Sequence, residues 1–251
     1  MRVERIGAAT LYLADCRDVL PSLSGVNAVI TDPPYGIGFK YDNHNDSDYG
    51  PEGYGAWLWN IIEMSERLCS PGAPVCVWQT QKNIKRFHDW FPRDWHLFVA
   101  AKNFVQMRPT PMQYSWDPVL VWWLDGDKPW TEGTANRDFH IANTAPVIGG
   151  GRNGQSHHPC QRPLDQVSHI IRQWVRPASM CLDPFMGSGT TGVACISQGR
   201  SFTGIEIDPG YFDIACRRIE AATRQADLFV PQTAPLARSL PDLFASTMAA
   251  E

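Results

Sequence analysis

A doubly wound α/β fold with a mainly parallel sheet is predicted by three features of the chain. Short apolar runs alternate with longer helix-forming segments along most of its length, the rhythm of strands joined by helical crossovers. Two of those runs, Ala28-Val29-Ile30 and Met180-Cys181-Leu182, are followed closely by an Asp-Pro pair, and ligands of such sheets gather at the carboxyl ends of strands. The 251 residues, 43% of them hydrophobic, are enough for one large core, and no stretch approaches the ~20 apolar residues that cross a bilayer.

The elements follow in order. The charged N-terminus, Met1-Arg2-Val3-Glu4-Arg5, lacks the apolar centre of a secretion signal and runs directly into a strand, so a cytoplasmic protein is expected. Residues 10–14 read as a strand that ends at Asp15-Cys16, 18–23 as a short helix, and 28–30 as the strand carrying Asp32. The polar, glycine-rich stretch 36–50 reads as a loop or lid beside the site. A helix over 54–68, a buried strand over 74–78, a helix over 79–90 and strands over 96–101 and 118–124 continue the alternation. Residues 125–158 break it, with Gly149-Gly150-Gly151, Gly154, Arg137 and Arg152 but no convincing periodicity. Beyond Pro163, Leu164, Val167, Ile170, Ile171, Trp174 and Val175 recur at helical spacing and are expected to be core. A strand ending at Asp183, a helix through Gly192-Val193-Ala194-Cys195 and a strand over 201–207 complete the domain, taken as residues 1–222. Residues 223–251, rich in Pro, Ala and Ser, are expected to form a flexible tail.

Two motifs carry chemistry. Asp32-Pro33-Pro34-Tyr35 sets a carboxylate, a rigid backbone and an aromatic face at one strand end. Each Pro fixes φ and lacks an N–H, so the carbonyls there are expected to be left open to an outside donor. Asp32 and such a carbonyl suit the two hydrogens of a planar exocyclic amine; taken alone, the tetrapeptide reads equally well as a Pro turn with an Asp cap. In Asp183-Pro184-Phe185-Met186-Gly187-Ser188-Gly189-Thr190-Thr191, Gly187 and Gly189 allow close backbone approach to a ligand at a helix N-terminus. With Gly192 they also satisfy G-x-G-x-x-G, and Glu206 ends the next strand where a ribose-binding acid belongs, so an NAD-dependent oxidoreductase is one reading. Asp183 beside the turn is a poor neighbour for a pyrophosphate and a good one for a cation.

Together the two motifs, followed by Gly204-Ile205-Glu206-Ile207-Asp208, resemble the amino-methylating DNA methyltransferases that use S-adenosylmethionine. The catalytic motif precedes the cofactor motif, which resembles the circularly permuted β group of that family. The likeness spans roughly residues 9–222. It implies a class I methyltransferase-like sheet of seven strands, one antiparallel, with residues 125–157 as a small target-recognition insertion and a homodimer as the assembly. His158-Pro159-Cys160-Gln161-Arg162-Pro163 resembles the family's His-Pro-x-Gln-Lys-Pro, which lies against the methionine end of the cofactor; Arg162 keeps the charge of the Lys and changes its geometry. Cofactor-binding residues implied by the resemblance are Asp15, Cys16, Asp32, His158, Asp183, Phe185, Gly187, Ser188, Gly189, Thr190, Glu206 and Ile207. Asp32, Pro33, Pro34 and Tyr35 are the implied catalytic set.

The reaction expected from them is methylation of adenine N6 in duplex DNA, in the setting of DNA methylation and restriction-modification. The target base must leave the stack to be reached. Tyr35 would stack on it while Asp32 and the Pro33 carbonyl hold its amine. An Asp at the first motif position favours adenine, cytosine enzymes of the family more often having Ser; cytosine-N4 methylation is the alternative. A non-catalytic DNA-binding module would need a damaged motif, and both are intact. The net charge of −4 offers no global attraction to DNA, so a local basic surface is required. Seven cysteines, Cys16, Cys69, Cys76, Cys160, Cys181, Cys195 and Cys216, are scattered without a C-x-x-C pair, which argues for reduced thiols and no structural metal. Gln225-Ala226-Asp227-Leu228-Phe229 resembles the extended peptide that docks bacterial replication proteins onto the sliding clamp, with a helix-end flap as the plainer reading.

Overall fold

Alternating burial along the central strands divides the protein into two layers. In the computed structural model, which describes residues 1–37, 50–103, 115–126, 131, 137–142 and 162–229, Ala28 and Ile30 face one side of the sheet and Val29 the other. That is the period of two that a strand imposes. Ala28, Ile30, Cys76 and Trp78 pack in one buried cluster with Val167, Ile170, Ala194 and Phe212, while Val29, Val75 and Val77 pack in the other with Tyr54, Leu58, Ile61 and Phe87. Strands covered on both faces need apolar residues at successive positions, which is why 28–30 and 74–78 read as unbroken apolar runs.

In chain order the elements are β1 (Arg2–Ile6), β2 (Ala9–Leu13), α1 (Cys16–Val19), β3 (Ala28–Thr31), α2 (Gly50–Glu66), β4 (Pro74–Trp78), α3 (Phe87–Trp90), β5 (His96–Lys102), β6 (Trp116–Trp123), β7 (Phe139–Ala142), α4 (Leu164–Trp174), β8 (Met180–Asp183), α5 (Thr190–Ile196), β9 (Ser201–Glu206) and α6 (Pro209–Phe229). The strands form one sheet in the order β1-β2-β9-β8-β3-β4-β6-β5-β7. Its inner seven strands are the sheet the family resemblance implies, with β6 antiparallel to both neighbours; β1 adds an antiparallel edge at one end and β7 a parallel one at the other. From β8 the chain crosses through α5 to β9 on one side, and from β3 through α2 to β4 on the other. Between β8 and β3 lies the point where the winding reverses, the usual crevice for a ligand in such a sheet.

Several expectations change. The helix expected over 79–90 is a 3-10 segment, Gln81–Arg86, followed by the single turn α3. The tighter winding leaves Asn83 buried beneath the Asp32 loop, where its amide is needed. Of the six residues expected in the core from Leu164 to Val175, Leu164 is 40% exposed in the first turn of α4 and the other five are buried. Residues 125–157 include β7, whose four residues, exposed Phe139 and Ile141 alternating with half-buried His140 and buried Ala142, are too few to be read as a strand from sequence. Helix α6 continues to Phe229, past the boundary expected at 222, so Gln225-Ala226-Asp227-Leu228-Phe229 is its helical end and not an extended peptide. Most of the expected loop over 36–50, His158 and residues 230–251 lie outside the described residues. Among the described residues no helix is long and apolar enough to cross a membrane, and no cluster of side chains is suited to hold a metal ion.

Candidate active site

Five neighbouring strands, β2, β9, β8, β3 and β4, run parallel, so the residues that follow them share one edge of the sheet. Along that edge stand Asp15-Cys16, Glu206-Ile207, Asp183 with the glycine turn, Asp32 with its Pro-Pro-Tyr loop, and Gln79. At about 4.8 Å per strand, Glu206 and Asp32 end two strand spacings apart, roughly 10 Å. The two motifs, some 150 residues apart in the chain, are in direct contact: the Thr31 hydroxyl donates to Asp183 Oδ1 at 2.7 Å, a bond that spans 152 residues of sequence.

The Asp32 loop is pinned from below. The Tyr54 hydroxyl donates to the Pro34 carbonyl, and Asn83 Nδ2 donates to the Tyr35 carbonyl at 2.8 Å. Gln79, fully buried, donates to the Tyr54 hydroxyl at 3.1 Å and accepts from Asn83 at 3.2 Å. The expectation of open carbonyls is therefore corrected at Pro34 and Tyr35, whose oxygens brace the loop; among the described residues, none donates to the Pro33 carbonyl. The Tyr35 hydroxyl donates to Asp32 Oδ1 at 2.7 Å. Arg162 grips the same carboxylate with a fork, Nε to Oδ2 at 2.6 Å and Nη2 to Oδ1 at 3.1 Å, and its guanidinium lies 5.5 Å from the centre of the Tyr35 ring.

Across the reversal point, Asp183 is buried and accepts from Thr31 and, at 3.1 Å, from the Phe185 N–H. Burial pushes its carboxyl up to about 6 despite the hydroxyls of Thr31 and Thr191 and that N–H, which all favour the charged form. The turn that follows uses both glycines. Gly187 has φ +51 and a Cβ there would meet nothing within 4 Å, so the chain passes beside open space; Gly189 has φ +80 and a Cβ would come within 2.9 Å of the Ala215 Cβ on α6. Ser188 and Thr190 face inward. One Arg218 nitrogen donates to the Ser188 carbonyl at 2.6 Å, to its hydroxyl at 2.9 Å and to the Thr190 hydroxyl at 3.1 Å. Phe185 packs against Trp57 of α2, ring centres 5.5 Å apart.

Glu206 accepts two backbone N–H bonds of 2.8 Å, from Gly187 on Oε2 and from Asp208 on Oε1. Burial raises it to about 7 against those bonds. Each carboxylate oxygen keeps a second lone pair for an outside hydroxyl. Beside it Ile207 is 56% exposed, an apolar surface at the same edge. On the next strand Asp15 caps α1 and pairs with Arg17 at 2.6 Å, which holds its carboxyl below the ordinary range. Buried Cys16 is a neutral thiol, pushed up to about 12.

Sequence reasoning missed the supports. Arg218, Asn83, Gln79, Tyr54 and Asp117, which meets Arg162, lie in no recognised motif and reach the site only through the fold. A weak signal existed for Asp117 alone, an acid at the mouth of the apolar run that becomes β6.

Comparison with known proteins adds the context. The family model for N6/N4 DNA methylases matches residues 26–217. The type II methyltransferase M.BglII of Bacillus subtilis is 28% identical over 250 residues, covering 82% of this chain and 67% of its own. The crystal structure of the M1.HpyAVI–SAM complex superposes with a TM-score of 0.66 at 24% identity, covering 84% of this chain and 98% of its own. The cytosine-N4-specific PvuII DNA methyltransferase has the same fold, with a TM-score of 0.65 at 16% identity over 88% of this chain and 92% of its own.

Proposed function

This chain belongs to the N6/N4 DNA methylase family, and from that premise we propose that it transfers the methyl group of S-adenosylmethionine to the N6 amine of an adenine flipped out of duplex DNA. The observation that carries the reading is the convergence of Asp32 and the Gly187 turn on one sheet edge through the Thr31–Asp183 contact.

The residues present fit the cofactor. Open space at Gly187 admits a ligand against the backbone. Glu206 is an acceptor for the paired hydroxyls of a ribose, with Ile207 as an apolar surface for the adenine beside Asp15 and Cys16. Asp183, buried at the strand end beside the turn, gives that side of the crevice an acidic group that suits a sulfonium. Ser188 and Thr190, tied to Arg218, shape the turn from behind it. When bound, the cofactor supplies an electrophilic methyl group.

The chain's own residues prepare the nucleophile. Asp32 and the Pro33 carbonyl accept the two amine hydrogens, which draws the nitrogen out of conjugation and aims its lone pair; as the nitrogen takes the methyl group, one of those hydrogens is released as a proton to solvent. Tyr35 gives the ring a stacking face, and the Tyr54–Gln79–Asn83 braces hold the loop in register. Nothing here uses the chemistry of a nicotinamide, and the dehydrogenase reading has no role for Asp32. The test is incubation with unmethylated genomic DNA and isotopically labelled cofactor, then mass spectrometry of the nucleosides. N6-methyladenine is expected; N4-methylcytosine would assign the same amine clamp to cytosine, and label in neither would overturn the reading.

A further inference from the structure

Arg162 stands between two carboxylates. Besides its fork on Asp32, its Nη1 donates to Asp117 Oδ2, and Lys102 Nζ reaches the same Asp117 oxygen at 2.7 Å. All four side chains are at least half shielded, Arg162 most of all at 12% exposure. The cluster carries two positive and two negative charges, so it presents no net cation. That matters beside a sulfonium, which an unbalanced guanidinium would repel.

A planar guanidinium gripping a carboxylate through two N–H bonds fixes the plane of that carboxylate as well as its distance. An amine clamp needs such a constraint, because Asp32 must direct one lone pair at a nitrogen whose own lone pair has to face the methyl donor. The Tyr35 hydroxyl and the two Arg162 bonds take three of the roughly four lone-pair sites of Asp32 and leave one for the amine. We infer that Arg162 is a positioning residue for methyl transfer: it sets the orientation of the Asp32 carboxylate, and Asp117, balanced by Lys102, holds the guanidinium to that task. The inference rests on the amine-clamp reading above and gives this chain's Arg a reason to stand where the family pattern has Lys: an ammonium supplies charge without the planar fork.

The experiment measures methyl transfer to unmethylated genomic DNA, with cofactor affinity followed on the same samples by calorimetry. Arg162→Ala is expected to lower kcat by about 10- to 100-fold, with cofactor Kd and KM for DNA within about 3-fold of wild type. Arg162→Lys restores part of that loss, and Asp117→Asn lowers kcat in the same direction as Arg162→Ala by less. Millimolar guanidine added to Arg162→Ala raises kcat and does nothing to wild type, a rescue that a lost packing contact would not give. If Arg162→Ala fails to fold and bind cofactor, Arg162→Lys decides, since wild-type kcat in that variant overturns the need for a fork. Wild-type kcat in Arg162→Ala, or loss confined to KM or to cofactor binding, overturns the positioning role while leaving the methyltransferase reading intact. Absence of methyl transfer by wild type itself sinks both.

Discussion

Glu206 shows most directly how burial and function pull against each other on one residue. It holds two backbone N–H groups, yet burial raises it to about 7, so it is only partly charged at neutral pH. A ribose that donates two hydroxyls needs the charged form. Because the raised value means protons are released as pH climbs from 6 to 8, cofactor affinity should rise by about 10-fold over that interval and then level off. Calorimetry at a series of pH values checks this, and a flat profile would remove Glu206 as the acceptor. The end-of-strand acids Asp32, Asp183 and Glu206 were legible in the sequence because each follows an apolar run. Arg218 and Asn83 were not, since a side chain that reaches its partner across 30 or 48 residues leaves no local pattern, and Asp117 showed only its place at the mouth of an apolar run.

At the scale of an element, the strand–turn–helix around Gly187 and Gly189 separates two uses of glycine. Gly189→Ala forces a Cβ into Ala215 at a positive φ and is expected to cost about 2–4 kcal/mol of stability. Gly187→Ala carries only the positive-φ penalty, about 1 kcal/mol, and fills space beside the turn, so it should weaken cofactor binding more than folding. Denaturant unfolding alongside cofactor titration distinguishes the two; equal stability losses would contradict the assignment. Long periodic elements such as α4 were readable, because its buried face recurs through Val167, Ile170, Ile171 and Trp174. The 3-10 segment Gln81–Arg86 was not: Thr80 caps its start, but the bond from Asn83 to the Tyr35 carbonyl spans 48 residues and shows in no local pattern. Strand β7 has four residues, too few for any period to show.

For the whole molecule, the sheet order is what turns scattered motifs into one edge. Alternating strands and helices predicted the doubly wound layers, and the motif order predicted the permuted connection. The outer strand β1 is one arm of a tight hairpin with β2, closed between Ile6 and Ala9, whereas the parallel edge β7 depends on pairing with β5, Val99 against Phe139, that residue patterns do not encode. The reversal between β8 and β3 sets Asp32 and the Gly187 turn on either side of one crevice. In the proposed reaction Asp32 acts on the amine and the Gly187 turn holds the cofactor. Asp32→Ala tests that division of labour most directly when methyl transfer and cofactor affinity are measured on the same preparation. Transfer should fall by at least about 100-fold while cofactor Kd stays within about 3-fold of wild type. Retained transfer, or loss of cofactor binding in step with activity, would contradict the account.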